Sequence, residues 1–65
     1  MKYKFRLLIS FKSGRCTDWI IIDSDTIDIK EVGREIKGDN CVIDSKGELH
    51  CFTPDQIEYF RLERV

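Results

Sequence analysis

The sequence predicts a small α+β domain in which an antiparallel sheet of four or five strands carries one helix on one face, in the order ββαβββ. Three observations predict it: a period-two apolar pattern at the start, one capped amphipathic segment in the middle, and a turn signature between two short apolar runs further on.

From Tyr3 to Phe11 the side chains Tyr3, Phe5, Leu7, Ile9 and Phe11 alternate with Lys4, Arg6, Leu8 and Ser10, the period of a strand with one face in a core. Lys12-Ser13-Gly14 then offers a turn. Cys16 to Asp23 returns as the second strand of a hairpin, rich in β-branched and aromatic residues. Within it Trp19-Ile20-Ile21-Ile22 is apolar on both faces, so this strand is expected to be covered on both sides.

The helix is expected over Ile27 to Gly38. Asp28 caps its start, Glu31 follows three residues later, Ile27 staples to Val32, and Gly38 closes it. Ile29, Val32 and Ile36 fall at i, i+3 and i+7, so one face buries while Lys30, Arg34, Glu35 and Lys37 meet water. Gly33 costs roughly 1 kcal/mol relative to Ala in a helix interior, which a close approach of the helix to the sheet would offset.

Cys41 to Phe52 reads as a second hairpin, because Asp44-Ser45-Lys46-Gly47 places Asp first and Gly last in a type I turn with a following bulge. Counting back from an Asp44 and Glu48 closing pair, Ile43 faces Leu49, Val42 faces His50 and Cys41 faces Cys51. The last segment is open between two readings. Thr53-Pro54-Asp55-Gln56 has the cap and the proline of a helix start, whereas Ile57, Tyr59, Phe60 and Leu62 fit a strand. A one-turn start followed by a strand from about Ile57 gives the helix more sheet to cover and is preferred over a helix through residues 54–65.

The chain has 65 residues, read as one domain over 1–65, with 11 basic and 12 acidic side chains, a net charge of -1 and a pI near 5.7. That balance points to no polyelectrolyte partner. Hydrophobic residues at 42% and charged residues at 35% exclude disordered, collagen-like and membrane compositions. A core this small is expected to be supplemented, most often by self-association. The apolar run from Leu7 to Phe11 is shorter than the roughly 7–15 residues of a secretory core, and no run approaches the roughly 18 of a membrane span. A soluble, cytoplasmic protein is the expectation. Three cysteines, Cys16, Cys41 and Cys51, without C-x-x-C spacing favour reduced thiols, with a Cys41 to Cys51 disulfide open to oxidation if the backbone allows the short separation.

The candidate sites follow from these elements. Lys2, Lys4, Arg6, Lys12 and Arg15, interleaved with Tyr3 and Phe5, resemble the start of a nucleic-acid surface. Alternation, however, sends Lys4 and Arg6 to the face opposite the rings, solvated or paired with Asp18. His50, Cys51 and Cys41 have metal-ligand chemistry, but His50 and Cys51 point to opposite faces of a regular strand. Asp23 to Asp28 starts like a calcium loop yet has Ile27 at the fifth position and no Gly at the sixth, so its aspartates read as turn and cap residues. No cofactor, metal or catalytic group is expected, since the single histidine belongs to no nucleophile motif and the chain leaves little room for a pocket.

The surplus is apolar surface. One helix covers one sheet face, which leaves Leu8, Ile20, Ile22 and Phe60 or Leu62 for the other, a patch suited to a dimer or partner interface. Trp19, Tyr59 and Phe60 are the large anchors where exposed. The leading expectation is a non-enzymatic protein–protein interaction module that forms a homodimer. A nucleic-acid binder using the basic hairpin is the first alternative, and a nucleotide-sequestering protein with its site at a dimer interface the second.

The order KYKFRLLISFKSG, WIIID, a capped helix, VIDSKGELHCF and PDQIEYFRLERV resembles, over the whole chain and in layout, the short accessory proteins of bacteriophages and prophages. That resemblance implies a small intracellular protein that acts by binding, and inhibiting, a host protein.

Overall fold

The structure, a computed structural model, describes residues 2–65. Strand β1 (Tyr3–Phe11) is the centre of a three-stranded antiparallel sheet, flanked by β2 (Ile20–Ser24) and β5 (Ile57–Arg64) in the order β2-β1-β5. Its alternation has the expected effect. Phe5 pairs with Ile22, Leu7 with Ile20 and Leu62, and Ile9 with Phe60, so the apolar members of all three strands share one face. Helix α1 (Ile29–Asp39) lies on that face with Val32 and Ile36 buried and Ile29 packed at the margin. Phe5, Leu7 and Ile9 are the largest fully enclosed side chains, and each such burial stabilises the fold by roughly 1.5–3 kcal/mol.

Local signals set the ends of the helix. Asp28 is extended and its Oδ1 accepts the Lys30 N–H at 3.0 Å, satisfying one of the orphan donors of the first turn. Ile27 remains 53% exposed and forms no staple. At the other end Asn40 takes the left-handed conformation, φ 57°, and its N–H reaches the Ile36 carbonyl at 3.0 Å. Gly38 stays inside the helix. Asparagine tolerates this region because its short polar side chain bonds locally, and it closes the helix in place of the expected glycine.

The ββαβββ order holds, and so does the final strand, which follows a single 3-10 turn at Pro54–Gln56. The sheet, however, divides. β3 (Cys41–Ile43) and β4 (Leu49–Cys51) form a separate two-stranded sheet in the register counted from the turn, Cys41 to Cys51, Val42 to His50 and Ile43 to Leu49. These strands are three residues each, and Val42 is the one side chain they bury in the core. The hairpin therefore caps an end of the core, tied to β2 by the Ser45 N–H to Ile21 carbonyl bond at 2.8 Å.

Two bulges correct the sequence reading. Between Leu7 to Ile20 and Ser10 to Cys16, residues 17–19 oppose only 8–9, and Thr17 fills the gap by exchanging bonds with the Ile9 backbone. β2 thus begins at Ile20. In β5, Ser10 pairs with Tyr59 but Phe11 with Ile57, which leaves Glu58 as the extra residue. That insertion turns Ile57, Phe60 and Leu62 toward the core and Tyr59 away from it.

Ile20 and Ile22 consequently face the helix, at 8% and 5% exposure, and are not on the opposite face. Phe60 and Leu62 pack half-buried on the same core side. β2 is an edge strand, and its outward face is only partly covered, with Ile21 half-buried and Asp23 exposed. Among the described residues no helix is long and apolar enough to cross a membrane.

Candidate functional site

Two surfaces emerge from this arrangement. The first is the sheet face away from the helix. Lys4, Arg6 and Leu8 alternate onto it from β1, Ile21 and Asp23 from β2, and Tyr59, Arg61 and Glu63 from β5. Charge pairing dominates there. Lys4 Nζ meets Asp23 at 3.1 Å, Arg6 Nε donates to Glu63 at 3.0 Å, and Arg61 Nε lies 3.1 Å from the other Glu63 oxygen. Beyond the strand, Lys2 meets Asp25 at 2.6 Å. The expected partner Asp18 takes no part in these pairs, because the register delivers Asp23 and Glu63 instead. The Arg6 guanidinium, above all, holds the Glu63 carboxyl below its ordinary range.

The Arg6 guanidinium also lies over the Trp19 ring at 4.5 Å from its centroid. Of the expected interface residues, Trp19 (37% exposed) and Tyr59 (52%) are on or beside this face, and Leu8 is half-buried in it. Ile20 and Ile22 are core. Phe60 packs edge-on to Phe52, ring centroids 5.3 Å apart. Of the basic residues singled out, Lys2, Lys4 and Arg6 face carboxylates of their own chain, while Lys12 and Arg15 stand exposed at the first hairpin.

The second surface is the β3–β4 hairpin. A strand sends alternate side chains to opposite faces, so Cys41, Ile43, Leu49 and Cys51 share the outer face and Val42 and His50 the inner one. Ile43 and Leu49 are direct cross-strand partners, 63% and 61% exposed. None of these four outward side chains carries a full charge in its ordinary state. This exposed apolar pair lies on a different element from Leu8, Ile20 and Ile22, where the apolar surplus was expected.

On the inner side the turn is locked by Asp44. Its Oδ1 accepts from the Lys46 and Glu48 N–H groups, both at 2.9 Å, while Oδ2 meets His50 Nε2 at 2.8 Å. His50 first, then the Glu48 backbone, hold the Asp44 carboxyl below its ordinary range. Asp44, Glu48 and His50 place ligand atoms within 4.8 Å of one another, beside a groove of about 450 Å³ that includes Trp19 and Ile21. Sequence reasoning paired His50 with the cysteines and missed this cluster. The signal was available in the turn count, which puts positions 44, 48 and 50 on one face. Both Asp44 oxygens already have partners, so the arrangement is a turn lock that fixes His50 and the register of the hairpin.

Comparison of the chain with protein-family models, with curated proteins and with solved structures finds no match in any of the three. The geometry alone carries the functional argument.

Proposed function

We propose that this protein is a non-enzymatic protein–protein interaction module, that its contact surface is the outer face of the β3–β4 hairpin, and that its partner there is a second copy of the chain. The observation that supports this reading is the exposed Ile43 and Leu49 pair, direct cross-strand neighbours. An isolated two-stranded ribbon is marginal in water and gains stability when a second layer covers it. A two-fold axis would set Ile43 of one copy against Leu49 of the other, with Asp23, Glu35 and Asp39 along the same groove.

The basic N-terminal residues give less support to nucleic acid, since three of the five, Lys2, Lys4 and Arg6, already face carboxylates of the same chain. Mass by light scattering after size exclusion, across a concentration series, tests the proposal. The parent chain is expected to rise from 7.7 kDa toward twice that value, and Ile43→Asp and Leu49→Asp to remain monomeric with unchanged circular dichroism. A parent chain that stays monomeric throughout, or variants that dimerise as the parent does, would overturn it.

A further inference from the structure

The outer face carries a second chemical feature. The backbone bonds Asp44 N–H to Glu48 carbonyl and Phe52 N–H to Asn40 carbonyl mark the pairs 44 with 48 and 40 with 52 as hydrogen-bonded. Antiparallel ladders alternate, so Cys41 and Cys51 form a non-hydrogen-bonded pair. In such pairs the Cα atoms approach to about 4.5 Å and the side chains are at their closest. Disulfides span Cα separations of about 4.4–6.8 Å.

From this register we propose that Cys41 and Cys51 are a thiol-modification site, which exchanges with a small-molecule disulfide such as glutathione disulfide to form a reversible cross-strand bridge. Cys51 is the exposed partner and Cys41 the half-buried one, so the incoming disulfide meets Cys51 first. The Cys51 thiolate attacks one glutathione sulfur, the glutathione S–S bond breaks, and one glutathione leaves as thiolate. The Cys41 thiolate then attacks the Cys51 sulfur of the mixed disulfide, the Sγ–Sγ bond forms, and the second glutathione leaves. Two protein thiols are oxidised and one glutathione disulfide is reduced to two thiols. Burial first, and then the neighbouring Cys51, raise the Cys41 thiol above its ordinary range, so the closing step accelerates as pH rises and thiolate forms. Cys16 lies opposite Ser10 on the other hairpin and has no cysteine as its cross-strand partner.

The bridge rests on the β3–β4 register, but the proposed dimer covers the same face, so Cys51 reacts from the monomer and the test is run at a concentration where light scattering finds the chain monomeric. Its test is glutathione disulfide added to the full-length chain, read by intact mass and by peptide mapping without reduction. The expected result is a transient glutathione adduct, followed by a chain lighter by two hydrogens in which the Cys41 and Cys51 peptides are joined, reversed by dithiothreitol. Cys41→Ser should stop at a stable adduct on Cys51. Lasting adducts on both residues of the parent chain, bridges involving Cys16, or bridges between chains instead of within one, would each contradict the proposal.

Discussion

At the scale of single residues, the conformational demands of the chain fall in places that composition does not reveal. Gly38 stands in the helix with open space around it, and a Cβ on Gly33 would meet Leu62 Cδ2 at 3.8 Å, an ordinary contact. Neither glycine is required by its surroundings. Gly33→Ala and Gly38→Ala should therefore each stabilise the fold, by about 0.5–1 kcal/mol, measured by urea denaturation. Had Gly38 supplied the left-handed closure, its substitution would destabilise instead. Asp44 and Glu63 provide the acid-side prediction. Each has its folded pKa depressed by its partners, so the stability it adds is complete above the unfolded carboxylate value, near 4, and is lost as pH falls through the lower folded value. Thermal melts from neutral pH to below 4 should show this loss, and Asp44→Asn should make the decline shallower. An acid profile identical to the parent's would remove Asp44 from the account.

At the scale of elements, the strength of a strand's pattern decided how much of it was legible. The nine residues of β1 and the Asp44 to Gly47 turn each carry a complete local signature, and both the alternation and the second-hairpin register followed from it. Ile20 and Ile22 were misplaced because an isoleucine run is the same read from either face, and only pairing with Phe5 and Leu7 chooses the side. The bulges at 17–19 and at Glu58 were equally silent, since an extra residue is defined by a partner strand that local sequence does not specify. The division of the sheet has energetic consequences. β1 is paired on both sides and encloses Phe5, Leu7 and Ile9, whereas β3–β4 is a separate ribbon that buries Val42. Local opening follows such differences. Amide exchange followed by NMR at low concentration should show Val42 and His50 opening at lower free energy than Leu7 and Ile9. Uniform protection across both sheets would mean that the hairpin is an integral part of the main cooperative unit.

At the scale of the whole molecule, the two exposed surfaces differ in character. The sheet face opposite the helix is organised by ion pairs and by Arg6 over Trp19, contacts already satisfied within one copy. The hairpin face presents Ile43 and Leu49 mostly exposed. A chain with so small a core gains most by covering the second surface. The self-association we propose is therefore at β3–β4 rather than at Trp19 and Tyr59. The most direct measurement is a set of NMR spectra of the parent chain recorded over a concentration series, with backbone amides and Ile and Leu methyls assigned. The account predicts concentration-dependent shifts at residues 41–43 and 49–51, strongest at the Ile43 and Leu49 methyls, with Trp19 and Tyr59 unmoved. Shifts centred on Leu8, Trp19 and Tyr59, or spectra that do not change with concentration, would contradict it.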